Sequence, residues 1–249
     1  MMKYSSVLRE INSMTKYPSI LTYHKRGDRG KLLDEVLVPF DGPAILTEKI
    51  DGVNGRIIMF PDGLYIIGSR EELLYGKGDL VGNLQLGIVD ALKPIAERLI
   101  PSGVLTVYFF EVYGGTVTKN SKQYTGNKLV GARLFDVATV QNHDKILDMP
   151  IEKIAAWRDN GGQTFYNESS LVGLSYRMSL ALTPRLGVFD IPTDFRHTYD
   201  WIGYVITTTR AALDNSALGR SEGIVIRTAD RSKIAKIRVE DYERTFRAK

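Results

Sequence analysis

Residues 46–57, LTEKIDGVNGRI, read as strand, yet they set Lys49, Asp51, Asn54 and Arg56 among Leu46, Ile50, Val53 and Ile57. Polar groups at that density are costly to bury unless each finds a partner. A lone strand cannot supply those partners. The segment therefore requires other parts of the chain to bring polar groups to it, and this narrows the folds open to the chain.

The same oddity recurs. Glu48 precedes Lys49, Arg70 ends LYIIGSR, Glu111 interrupts GVLTVYFFEVYGG, Glu222 opens SEGIVIR, and Lys236 and Arg238 flank Ile237. Each charge alone could sit on a solvated face or an edge strand. Charges of both signs on several apolar strands are more simply explained by convergence on one site. Lys236 and Arg238 alternate with Ile237 and so share one face of their strand.

The rest of the pattern predicts an α+β fold with mostly antiparallel sheets flanked by helices. AILTEKIDGVNGRIIMF and LYIIGSR read as two strands joined by the turn PDG. GVLTVYFFEVYGG and ARLFDVATV are further strands, and SEGIVIRTADRSKIAKIR reads as two strands around TADRS. Leu86, Val89, Ile95 and Leu99 have helical spacing, with a kink expected at Pro94. PIEKIAAWRDNGG reads as a helix ending at glycine, and TYDWIGYVITTTRAAL as helical in part. No internal repeat or low-complexity linker interrupts the 249 residues.

Composition excludes several chemistries. With no cysteine, there are no disulfides and no thiolate metal sites. His24, His143 and His197 are far apart in sequence and do not suggest a zinc site. The N-terminus has no apolar signal region, and no apolar run approaches the roughly 18 residues of a membrane span, so a cytoplasmic protein without a membrane partner is expected. A net charge of +4 is compatible with a polyanionic partner without specifying one.

The gathered groups suit phosphoryl chemistry. A lysine beside apolar walls and other cations is expected to have a lowered pKa and to act as an amine nucleophile. A carboxylate that holds Mg²⁺ near a phosphate, with further Lys and Arg groups around the developing charge, completes the parts for attack on a nucleotide phosphate. No GxxxxGK[ST] is present, so nucleotide binding by a P-loop is excluded.

EKIDGVN resembles the K-x-D/H-G motif of the covalent nucleotidyltransferases: DNA ligases, RNA ligases and mRNA capping enzymes. GSR (68–70), FFEVYGG (109–115), RLFDV (133–137), SEGIVIR (221–227) and AKIR (235–238) resemble the superfamily's later motifs, in the same order. Asn54, five residues after the lysine, resembles the ATP-dependent RNA ligases of the RNA ligase 2-type family, where DNA ligases and capping enzymes typically carry Arg. Asp51 stands where that family often has His, which is a departure from its pattern.

The resemblance implies a ligase adenylation fold around an ATP pocket, and roles for individual residues. Lys49 would form a phosphoramidate with AMP, and Glu48 would read the adenine amino group. Asp51 and Asn54 would orient the lysine or the phosphate. Arg56 would contact phosphate, a cross-strand ion pair being the other reading. Arg70 would bind the phosphate of the adenylate or of the acceptor strand, and Glu111 would accept from a ribose hydroxyl. Phe135 would stack on the adenine, or simply pack in the core. Glu222 would help to hold Mg²⁺ or Mn²⁺. Lys236 would approach the AMP phosphate and Arg238 the departing pyrophosphate. Gly52 and Gly55 would let the backbone turn or come close to the ligand.

The function so implied is ATP-dependent joining of 5′-phosphate and 3′-hydroxyl RNA ends through lysyl-AMP, as in RNA repair. Alternatives on the same fold are a DNA ligase, extending the substrate to DNA or RNA/DNA hybrids, and a capping-type transferase. A non-catalytic nucleic-acid-binding module is a third. An end-healing kinase or phosphatase would be a compatible partner, and no residue specifies one. The chain is expected to form a single adenylation domain over residues 1–249 without a separate C-terminal domain. VEDYERTFRAK, which follows Arg238, would form at most one amphipathic helix bearing Glu240, Arg244, Arg247 and Lys249. A small, salt-sensitive nucleic-acid footprint would follow, with pre-adenylated ends sealed better than 5′-phosphate ends.

Overall fold

In the computed structural model, which describes residues 4–76, 79–80, 87–206, 208–217 and 219–247, residues 46–57 belong to two strands in two different sheets. In chain order the early strands are β1 (Leu21–Thr22), β2 (His24–Arg26), β3 (Leu32–Val36), β4 (Ala44–Lys49), β5 (Val53–Met59), β6 (Tyr65–Ser69), β7 (Leu73–Gly76) and β8 (Asp79–Leu80). The later ones are β9 (Leu105–Gly114), β10 (Val130–Val140), β11 (Thr164–Phe165), β12 (Arg185–Phe189), β13 (Gly223–Arg227) and β14 (Ile234–Arg238). The helices are α1 (Leu8–Thr15), α2 (Ile88–Ala96), α3 (His143–Leu147), α4 (Ile151–Asp159), α5 (Glu168–Arg177), α6 (Phe195–Val205) and α7 (Val239–Arg247).

A seven-stranded antiparallel sheet has the order β11-β10-β9-β5-β6-β7-β8. A five-stranded sheet has the order β1-β14-β13-β4-β12, antiparallel except for the parallel β1–β14 pair. β2 and β3 form a small ribbon. The α+β, mainly antiparallel expectation holds. The expected single strand through Lys49 and Arg56 does not. β4 ends at Lys49, the chain turns through residues 50–52, and β5 starts at Val53. Gly52 makes this crossing possible: a Cβ there would lie 2.5 Å from the Val112 carbonyl oxygen, closer than any side chain tolerates.

Both faces of the seven-stranded sheet are covered, which is why IIM at the end of β5 and the Phe60 that follows are uninterruptedly apolar. Ile57 and Met59 pack with Leu92 of α2 and Leu171 and Leu174 of α5. Ile58 and Phe60 pack on the other side with Ile11 and Met14 of α1 and Ile154 of α4. The five-stranded sheet buries Leu46, Ile224, Ile226 and Ile237 beside Ile202 of α6 and Tyr242 of α7. Each such side chain contributes about 2 kcal/mol when fully buried, and these three cores hold the sheets that carry the cavity groups.

The helix expected around Pro94 is α2, with Pro94 in its last turn, and its predicted beginning at residues 81–86, Leu86 included, lies outside the described residues. The terminal amphipathic helix is α7, and Lys249 likewise lies outside the described residues. Helices α1 and α5 were not legible in the sequence. Among the described residues no helix is long and apolar enough to cross a membrane.

Candidate active site

A cavity of about 480 Å³ opens between the two large sheets. Thr47, Lys49, Val225 and Lys236 line it from the five-stranded sheet, and Asn54, Arg70, Glu111 and Phe135 from the seven-stranded sheet side. That volume falls in the range of small-molecule and cofactor sites, about 300–1,000 Å³. Register explains the first wall. Thr47, Val225 and Lys236 are partners across β4, β13 and β14, as are Lys49, Gly223 and Arg238 one step along. Alternation then sends Leu46, Ile224 and Ile237 to the core and Thr47, Lys49 and Lys236 to the cavity.

Lys49 Nζ donates to the Glu222 carboxylate, and the side chains are 23% and 21% exposed. Burial alone would lower the pKa of the amine. The nearby carboxylates of Glu222, Glu111 and Asp51 outweigh it and hold the pKa above its ordinary value. This corrects the sequence-based expectation of a lowered pKa: the amine is an ammonium paired with Glu222. At the cavity wall Lys236 does have a lowered pKa, through burial and the proximity of Lys49 and Arg70.

Glu111 lies opposite Asn54 in the β5–β9 pairing. Burial pushes its carboxyl up to about 7, against the pull of Lys49 and a hydrogen bond from the Gly52 N–H. Among the described residues the side-chain oxygen of Asn54, Oδ1, is buried and has no hydrogen-bond partner, although it belongs to a cavity-lining residue. Such an orphan acceptor calls for a donor from a ligand. Arg70 is exposed at the rim, where it donates to the Ser19 hydroxyl at 3.2 Å. Glu48 is buried, and burial raises its pKa although Thr209 Oγ1 (2.5 Å) and the Arg210 N–H (2.8 Å) donate to it.

Phe135 reaches the cavity because β10 bulges. Leu134 pairs with Phe110 and Asp136 with Phe109, which leaves Phe135 as the extra residue. A buried ionic network fixes Asp136 beside it and its own carbonyl. Asp136 accepts from Tyr17 OH at 2.9 Å and from Arg231 Nε at 2.8 Å, while Arg227 Nη1 donates to the Phe135 carbonyl at 3.4 Å. Arg227 in turn pairs with Glu168, which also takes Arg185 Nε at 2.9 Å. Tyr17 and Arg227 both line the cavity, and the sequence reading singled out neither. An arginine closing the apolar run GIVIR and an aspartate inside RLFDV were the available signals.

Three expected residues are placed differently. Arg56 is fully buried beneath α1, where it donates to Asn12 Oδ1 and, at 3.1 Å, to the Arg70 carbonyl. It is not a cavity group: it shares the face of Asn54 but lies one pleat further under the helix. Arg238 turns away to Asp241, donating from Nε at 3.0 Å and Nη2 at 2.8 Å. The Asp51 carboxylate accepts from Asn120 Nδ2 at 2.5 Å and its N–H donates to Tyr124 OH at 2.7 Å, so it acts on Lys49 only through its charge. Among the described residues no three acidic or imidazole groups converge as a metal cluster. Glu222 and Glu111 nevertheless offer the hard oxygen donors that Mg²⁺ and Mn²⁺ take, with a nucleotide's phosphates able to complete the shell.

A model of the RNA ligase family matches residues 42–239. No curated protein sequence matches the chain. Among solved structures, a ligand-free variant of the Naegleria gruberi RNA ligase is similar with a TM-score of 0.58 at 13% identity, over 94% of this chain and 62% of that one. A variant of that ligase with AMP and manganese gives 0.58, at 13% identity, over 94% and 63%. Another, with ATP and manganese, gives 0.59, at 14% identity, over 93% and 62%. The likeness is one of fold, and the chain spans a little under two thirds of the length of those structures.

Proposed function

The chain belongs to the RNA ligase family, and we propose from that premise that it is an ATP-dependent RNA ligase that works through lysyl-AMP on Lys49. The observation that carries the reading is the placing of one lysine amine among Glu222, Glu111 and Asp51, in a nucleotide-sized cavity with Lys236 and Arg70 at hand.

In the proposed reaction Lys49 Nζ, once it has lost its proton, attacks the α-phosphorus of ATP. The N–P bond forms as the bond to the bridging oxygen breaks, and pyrophosphate leaves. A 5′-phosphate oxygen then attacks the same phosphorus and displaces the lysine, which regains a proton. Finally a 3′-hydroxyl attacks the phosphorus of the activated 5′ end, AMP leaves, and a phosphodiester remains. Lys236 and Arg70 would balance charge on the phosphates. Phe135 would cover one face of the base and Asn54 would meet a donor of the ligand. Glu222 would hold a divalent metal together with phosphate oxygens, and that metal would withdraw charge from the phosphates.

Incubation with labelled ATP followed by a denaturing gel tests the first step. A label that stays on the wild-type protein and is absent from Lys49→Ala supports the reading. Labelling by GTP instead would indicate a capping-type transferase. Nicked RNA, nicked DNA and hybrid duplexes then assign the strand that is sealed.

A further inference from the structure

Lys49 is gripped from both sides by loops that are tied to each other. The loop after β9 holds Asp51: Tyr124 OH accepts the Asp51 N–H at 2.7 Å, Asn120 donates to its carboxylate at 2.5 Å, and Thr118 Oγ1 donates to its carbonyl at 3.4 Å. The loop before β13 holds Glu48 through Thr209 and the Arg210 N–H. Between the loops, the Leu213 N–H donates to the Tyr124 carbonyl at 2.8 Å and the Gly126 N–H to Ser216 Oγ at 2.8 Å. Ile50, Tyr113, Tyr124 and Ala211 pack as a small apolar core, with Leu213 against it.

One carboxylate gathers this clasp. Asp214 accepts from Thr125 Oγ1 at 2.5 Å and Asn127 Nδ2 at 3.2 Å on the first loop, and from the N–H (2.9 Å) and hydroxyl of Ser216 on its own. These donors hold its carboxyl well below the usual range, so it stays ionised. Asp214 itself lines no part of the cavity.

We propose that Asp214 is a positioning residue for the reaction of Lys49, acting through the two loops that fix Glu48 and Asp51 on either side of it. The inference rests on the reading of Lys49 as nucleophile. Attack on phosphorus is sensitive to misplacement, and a shift of about 1 Å can cost roughly 100-fold in rate. Cutting the tie lets both flanks of the lysine relax while leaving the cavity walls in place.

The test measures the first-order rate of AMP-adduct formation at saturating ATP by intact mass. Asp214→Ala should be slower by about tenfold or more, and Asp214→Asn, which keeps one acceptor oxygen, should recover part of the rate. Thr125→Val should be slower by less, and the double variant no slower than Asp214→Ala. Asp62→Ala, which removes a turn carboxylate that accepts from the Leu64 N–H at 3.1 Å, should keep the wild-type rate. Amide exchange at Asp51 and Arg210 should quicken in Asp214→Ala while the melting temperature changes little. A wild-type rate in Asp214→Ala, multiplicative losses in the double variant, or an equal loss in Asp62→Ala would each overturn the proposal. Absence of adduct from the wild type would instead overturn the reading of Lys49, and this inference with it.

Discussion

Lys49 and Glu222 are joined twice: the amine donates to the Glu222 carboxylate, and the Glu222 N–H donates to the Lys49 carbonyl at 3.1 Å. The second bond continues the β4–β13 pairing, in which Lys49 lies opposite Gly223. The backbone contact therefore keeps the two residues together whatever the side chains do. If Lys49 is the nucleophile we propose, the side-chain contact is the part that is released before the amine reacts.

Lys49→Ala should abolish the AMP adduct and leave the fold intact. Glu222 loses its cation while partly buried, so a stability loss of about 1–2 kcal/mol is expected. Intact mass after incubation with ATP and a thermal melt check the two halves. A normal adduct in this variant would assign the nucleophile elsewhere.

Glu222→Gln keeps the shape and removes the charge. Adduct formation should need at least about tenfold more Mg²⁺ or Mn²⁺ for half its maximal rate. Excess chelator should stop the wild type altogether. The measurement is a metal titration of the adduct rate, and an unchanged midpoint would remove Glu222 from the metal's surroundings.

Arg56→Met should act on stability rather than on nucleotide binding. Its guanidinium is fully buried and bonded to Asn12 and the Arg70 carbonyl, so its loss should cost about 3 kcal/mol. ATP affinity of the folded fraction, read by calorimetry below the melting point, should change less than about threefold, or under 1 kcal/mol. A larger loss of affinity would restore the expected phosphate contact.

Phe135→Ala should weaken nucleotide binding by about 1–3 kcal/mol, the usual worth of stacking a base on an aromatic ring. Phe135→Tyr should retain most of it. Equal losses for the two would mean that the ring serves only to pack against Tyr17, 5.0 Å away between centroids.

Glu168 makes stability pH-dependent. Burial alone would raise its pKa, but Arg185 and Arg227 hold it below its ordinary value of 4.5. Its contribution is therefore fully present above the unfolded value and is lost as pH falls through the folded one. Glu168→Gln should melt lower than wild type at neutral pH, by about 2 kcal/mol. The gap should close as the solution is acidified below the usual carboxylate range, and a gap that widens there would reverse the assignment.

The sequence announces which charged groups gather at the cavity better than how they are arranged. Lys49, Glu111 and Lys236 were found because each is a charge stranded in apolar surroundings. The crossing at residues 50–52 was hidden, since Asp51-Gly52 reads equally well as a local turn, and only the Val112 carbonyl makes glycine obligatory there. Arg56 was misplaced because alternation puts it on the face of Asn54 without showing that α1 covers that end. The protonation of Lys49 was not legible either, because it depends on carboxylates at positions 51, 111 and 222 that only the fold assembles.

The passage of the chain from β4 to β5 has a mechanical consequence. Only residues 50–52 separate Lys49, at the end of one sheet, from Val53, at the start of the other. So short a link, at most about 10 Å when extended, has little slack. A shift of one sheet against the other is therefore passed to the amine instead of being absorbed by the link. On the proposed reading of Lys49, the cavity and the amine would be geared: a ligand that drew the walls inward would move the lysine in the same stroke, so that filling the site and aiming the nucleophile became one motion.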